Sequence, residues 1–135
     1  MSHLSKRKID PKIEKYVLDS LNEVVHTLHN YQDSEMFLSS LFSETERLMF
    51  AKRIVAAFLV KKGVGANEIA DLLKLTEETV GRIKLWTQTR PEGFDLILKR
   101  LDSRNKKEAA KTVFYKILNY ALKASAGHIP TPKIP

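Results

Sequence analysis

A group of polar and charged residues between positions 76 and 84 has the types and spacing needed to contact duplex DNA. The group consists of Thr76, Glu77, Glu78, Thr79, Gly81, Arg82 and Lys84. Arginine and lysine bond phosphate oxygens or guanine edges, glutamate accepts from cytosine, and threonine bonds several bases. A glycine lets the backbone approach a ligand closely. We expect a DNA contact if one helix presents most of these side chains on the same side.

The segment 66–85 predicts such a helix, as the second helix of a helix-turn-helix. Apolar residues fall on one face of each of its two short helices: Ile69, Leu72, Leu73, Leu75, Val80 and Ile83. Ala70 is small where the two helices should approach most closely. Lys74 takes the turn position that usually carries a left-handed glycine, which costs free energy. Thr76 is the expected N-cap of the second helix.

Two roles are open for the acidic pair that follows this cap. Carboxylates in a first helical turn complement the positive end of the helix dipole, whereas close to phosphates they repel. We favour the structural role for Glu77. For Glu78 the choice between the dipole and a base contact stays open.

Composition indicates a small cytoplasmic protein that binds a partner and is not an enzyme. The chain has 135 residues, no cysteine and 43% apolar residues, and no apolar run approaches the roughly 20 residues that span a bilayer. The first residues lack the apolar core of a signal peptide. There is no phosphate-binding glycine loop and no nucleophile-and-base motif. A formal charge of +7 favours polyanionic partners.

Helical periodicity continues on both sides of this segment and predicts an all-α chain. Ser43 and Glu46 form a capping box before the apolar run 48–60, and Gly63 and Gly65 should end that helix. Asp33 or Ser34 should cap a shorter helix before it. The other expected helices cover residues 11–31 and 92–101, the second following a break at Arg90 and Pro91.

The C-terminal third predicts an additional basic amphipathic helix over residues 103–124. Its lysines lie largely outside an apolar stripe that includes Val113, Ile117 and Leu118. We favour packing of this stripe on the core, with a phosphate contact or a docked partner helix as the alternative. Residues 126–135 should form a mobile, proline-rich tail, so that residues 1–125 make one domain.

Residues 42–91 resemble the tryptophan repressor family. The similar pieces are S-E-T-E-R at the start of a long helix, R-I-V within it, N-E-I-A in the first helix of the pair and T-V-G-R in the second. The resemblance implies an intertwined helical homodimer with two projecting helix-turn-helix heads. It also implies a repressor-like transcriptional regulator that binds double-stranded DNA. Such heads enter successive major grooves about 34 Å apart.

The same resemblance implies which residues contact DNA and a ligand. It assigns base and phosphate contacts to Asn67, Glu77, Glu78 and Gly81, and it matches Arg53 and Arg82 to the two arginines that hold L-tryptophan. The neighbouring positions depart from the family pattern. Ile83 stands where the family has a glycine, and Trp86 where it has a serine. We therefore expect the chain's own side chains to fill the pocket, and no cofactor.

Three side chains have a more ordinary interpretation beside a functional one. Trp86 is expected to be a core or dimer-contact residue, in preference to a residue that stacks on a nucleobase. His26 and His29 have the spacing of two metal ligands on a helix. Without a clear third ligand, a solvated pair is the expected arrangement.

A protein-interaction module is the alternative function. The last region of a sigma factor has a similar E-I-A then T-V pattern after a long helix. Lys74, the acidic pair and the basic C-terminal helix are all compatible with an acidic protein partner in place of DNA.

Overall fold

The computed structural model describes residues 7–104 and 113–125, and every regular element in them is an α-helix. The helices are α1 (Pro11–His26), α2 (Tyr31–Leu41), α3 (Glu44–Lys61), α4 (Ala66–Leu73), α5 (Glu77–Thr89), α6 (Pro91–Arg104) and α7 (Val113–Ser125). The predicted all-α class is confirmed. The chain divides into two compact units, Met1–Phe50 and Ala51–Pro135.

The helix predicted over residues 11–31 is wrong at its C-terminal end. α1 ends at His26, and α2 begins at Tyr31 after a short break. The cap of α2 is Asn30, and not Asp33 or Ser34. The Asn30 side chain accepts a hydrogen bond of 2.9 Å from the backbone amide of Asp33. Asparagine is among the strongest N-cap residues, and Asn30 has the extended backbone typical of that position.

The predicted capping box of α3 is confirmed. The Ser43 hydroxyl accepts from the Glu46 amide at 3.2 Å, and the Glu46 carboxylate accepts from the Ser43 amide at 3.0 Å. Hydrogen bonds from the Ser43 backbone and then its side chain lower the pKa of Glu46. Because the pKa is lowered on folding, this stabilisation is present above the unfolded pKa and is lost as the pH falls through the folded one.

The first unit leaves its apolar side chains largely uncovered. α1 and α2 have no buried residue. Within this unit the Phe42 and Phe50 rings contact each other at 4.8 Å, and the Arg47 guanidinium bonds the Ser39 hydroxyl. The large exposed apolar residues of α1 include Ile13, Val17, Leu18, Leu21, Val24 and Val25.

The second unit contains the described core. α4 contacts α5 and α7, and α5 contacts α6. One buried cluster joins these helices to the end of α3: Ala56, Ala57, Leu59, Val64, Ile69, Ala70, Leu73, Val80, Ile83, Leu118 and Ala121. None of the described helices is long and apolar enough to cross a membrane.

Ion pairs join α6 to the end of α3. Lys61 lies 2.8 Å from Asp95, and Lys62 lies 3.1 Å from Asp102. Both lysines are largely covered by the fold. α6 extends beyond the predicted range 92–101.

The C-terminal helix begins at Val113 in the described residues. Residues 105–112 of the predicted helix 103–124 lie outside the described part of the chain. The predicted tail, residues 126–135, also lies outside it. Residues 103 and 104 belong to α6. Leu118 and Ala121 are buried in the core cluster, as expected if the apolar stripe packs inward.

The left-handed conformation expected at Lys74 is present. Its φ is 55° and its ψ is 49°, and it caps α4 through a bond from its amide to the Ala70 carbonyl. We expect Lys74→Gly to raise the free energy of unfolding by about 1 kcal/mol, because the left-handed region costs an L-residue roughly that amount. Urea denaturation measures the change. Lys74→Ala keeps the Cβ atom and should change stability little, so an equal gain in both variants would contradict the explanation.

Candidate nucleic-acid interface

Two helices of the second unit form the predicted helix-turn-helix. α4 and α5 pack through buried Ile69, Leu73, Val80 and Ile83, and a three-residue turn joins them. Ala70 is 7% exposed within this contact, as its small size predicts. One face of α5 is thereby fixed against the core, and its opposite face is left to solvent.

Thr76 and Thr79 form the start of α5 together. The Thr76 hydroxyl accepts from the Thr79 amide at 3.1 Å, which confirms Thr76 as the N-cap. The Thr76 hydroxyl also bonds the Thr79 hydroxyl at 2.9 Å. Because both hydroxyls serve the cap, a DNA contact by either one requires an additional hydrogen bond or a rearrangement.

The outer face of α5 carries Glu78, Gly81 and Arg82, which are all exposed. Glu77 and Lys84 are also exposed, but they lie at its edge, three residues before and four residues after buried Val80. A Cβ atom built on Gly81 would meet nothing within 4 Å, so packing inside the chain does not require a glycine there. Asn67 is exposed in the first turn of α4.

Two further residues lie on this same face of α5 and were not predicted from the sequence. Leu85 is 54% exposed and Gln88 is also exposed. They follow Gly81 by four and seven residues, which places all three on one side of a helix. Extending the helical spacing beyond Lys84 would have found them, and glutamine is a residue type that bonds adenine edges.

The acidic and basic side chains near this face of α5 largely balance each other. The Arg82 guanidinium lies 4.0 Å from the Glu78 carboxylate, one helical turn away. Both side chains are mostly exposed, so this pair contributes little to stability and can open at low cost. Arg82 is therefore available to exchange a carboxylate for a phosphate oxygen.

The two arginines matched to the tryptophan site have different partners. The Arg53 guanidinium carbon lies 4.9 Å from the centroid of the Trp86 ring. Arg82 pairs with Glu78. Trp86 is half-buried and packs against the core cluster, and Ile83 is 2% exposed within it. The chain's own indole thus lies against the arginine that the resemblance matched to a ligand.

Metal coordination finds no support in the described residues. They include no group of three or more histidine, cysteine, aspartate or glutamate side chains arranged to hold an ion. His26 and His29 are both exposed.

A capped helix with one exposed polar face, held against a short scaffold helix, defines a helix-turn-helix protein. The family model described as Trp repressor protein matches residues 16–102, so the chain belongs to the Trp repressor family. This family consists of DNA-binding transcriptional regulators. The comparison with curated proteins and the comparison with solved structures each found no match.

Proposed function

We propose that this protein is a homodimeric transcriptional regulator that binds a specific double-stranded DNA site and acts as a repressor in the cytoplasm. The observation that carries the proposal is the exposed outer face of α5, with Gly81 at its centre. A helix in this setting enters a major groove with its N-terminal half against the base edges. Asn67 and Lys84 then lie at positions suited to phosphate contacts.

The uncovered apolar face of α1 supports the dimer. Ile13, Val17, Leu21 and Val24 recur at helical spacing on one side of α1 and are each between 39% and 55% exposed. Such a face is stable when a second copy covers it.

The contact between Arg53 and Trp86 supports regulation without L-tryptophan as co-repressor. A ligand site needs preformed free volume. Here the indole of Trp86 lies against Arg53, and buried Ile83 fills the neighbouring turn of α5. We infer that α5 holds its DNA-binding orientation without a bound ligand.

A pair of glycine substitutions tests the interface. Gly81 and Gly93 both lie inside helices, and an added Cβ atom meets nothing within 4 Å at either position. Each glycine-to-alanine change should therefore stabilise the fold by roughly 0.5–1 kcal/mol. Only Gly81→Ala should weaken duplex binding, by about tenfold or more, because its methyl group separates α5 from the bases.

The binding measurement uses a labelled duplex recovered from a random library with the wild-type protein. Urea denaturation of both variants measures the expected increase in the free energy of unfolding. If Gly81→Ala binds this duplex as tightly as Gly93→Ala does, the outer face of α5 is not the reading surface.

A further inference from the structure

The positive charge of this chain is concentrated outside the region that matches the Trp repressor family. Residues 16–102 contain eleven lysines and arginines against thirteen aspartates and glutamates, and the segment 66–85 contains three against four. Residues 103–135 contain seven basic residues and one acidic residue. A regulator that binds a polyanion gains much of its affinity from basic side chains at phosphates. The helix-turn-helix, residues 66–85, has few of these basic side chains.

α7 is fixed to the helix-turn-helix within the same chain. It contacts α4, and its Leu118 and Ala121 are 4% and 1% exposed in the cluster that contains Ile69 and Leu73. Burial of these side chains holds α7 on the scaffold helix. The C-terminal helix is therefore part of the folded head, although it lies beyond the family match.

The lysines of α7 lie opposite its buried side. Lys116 and Lys123 are seven residues apart, which places them on one face of the helix, and Leu118 with Ala121 occupy the other. Lys123 is exposed and Lys116 is half-exposed. Because α7 packs on α4, the positive charges of Lys116 and Lys123 face solvent at fixed positions on the head.

We propose that α7 is a phosphate-binding extension of the head, in which Lys116 and Lys123 contact the DNA backbone beside the groove that α5 enters. The proposal rests on the proposed function. It assigns to α7 a share of the affinity that does not depend on base sequence, while α5 supplies the specificity.

The test measures the salt dependence of binding to a labelled mixed-sequence duplex of about 40 base pairs, long enough for two half-sites. The variant is Lys116→Gln with Lys123→Gln. The matched control is Lys99→Gln with Arg100→Gln, which removes the same charge from exposed positions on α6 of the same unit. Anisotropy titrations of the full chain between roughly 50 and 200 mM salt give the slope of log K against log salt concentration.

We expect the α7 variant to lose about 1.8 units of slope per bound chain, since each phosphate contact contributes about 0.9, and the control to keep the wild-type slope. An unchanged slope in the α7 variant overturns the proposal. An equal loss in both variants also overturns it, because net charge alone would then explain the effect. Failure of the wild-type chain to bind any duplex overturns the proposed function as well, and is recognised before any variant is made.

A second variant tests whether docking positions the lysines. Ala121→Gln places a larger polar side chain against α4 while leaving every charge in place. We expect it to lose as much slope as the lysine variant, with the remaining helices folded by circular dichroism. Retention of the full slope by Ala121→Gln would overturn the positioning role of the α4 contact.

Discussion

Leu21→Asp should separate the two copies of this protein and lower its affinity for the specific duplex by about 10³-fold or more. α1 has no buried residue and Leu21 is 50% exposed, so the substitution should disturb the fold of one chain little. In a dimer it would place two unpaired carboxylates in an apolar interface, which is strongly unfavourable. A monomer has one head, so it makes only half of the contacts that the dimer makes on a two-fold site.

The matched control for this variant is Asn22→Asp. It introduces the same carboxylate one residue later, about 100° around α1 from Leu21 and outside the row of Ile13, Val17, Leu21 and Val24. Sedimentation at micromolar concentration should find a dimer for Asn22→Asp and a monomer for Leu21→Asp. The fluorescence of Trp86, the one tryptophan in the chain, reports whether the head of each variant is still folded. A dimeric Leu21→Asp protein, or a monomeric wild type, would contradict the assignment of this face.

Trp86→Ala should destabilise the head by about 3 kcal/mol, the lower end of the range for removing a packed tryptophan, because Trp86 is half-buried. The substitution also removes the ring that Arg53 contacts at 4.9 Å. It leaves a space with the shape of an indole beside a guanidinium. Free indole at millimolar concentration should therefore restore part of the lost stability of this variant.

The wild-type protein supplies the comparison for this prediction, with Trp86→Phe as the conservative variant. Thermal unfolding followed by circular dichroism should show no effect of indole on either protein, and calorimetry with L-tryptophan should show no heat for the wild type. Heat on mixing wild-type protein with L-tryptophan would restore co-repression as the mechanism.

Features set by neighbouring residues could be predicted from the sequence. The capping box of Ser43 and Glu46 and the cap at Thr76 depend on side chains three residues apart. Lys74 is left-handed because the turn between two packed helices requires that conformation, whatever residue occupies it. The apolar spacing across α4 and α5 likewise indicated which residues are buried.

Other features of the fold cannot be predicted from the helical spacing of apolar residues. A break between α1 and α2 could be predicted, but its position could not, because Asn30, Asp33 and Ser34 are about equally good N-cap residues and the cap is Asn30. The partners of Arg53 depend on the relative position of α3 and α5, which sequence spacing does not give. The stripe of α7 predicted burial, but it did not identify α4 as the surface that covers it.

Selection of bound sequences from a random duplex library tests the central claim most directly. We expect enrichment of a two-fold symmetric motif whose half-sites are centred about 34 Å apart, the spacing of two helix-turn-helix heads on successive major grooves. Recovery of no enriched sequence by the folded, full-length protein would contradict it, and would favour a helix-turn-helix that docks on an acidic protein partner.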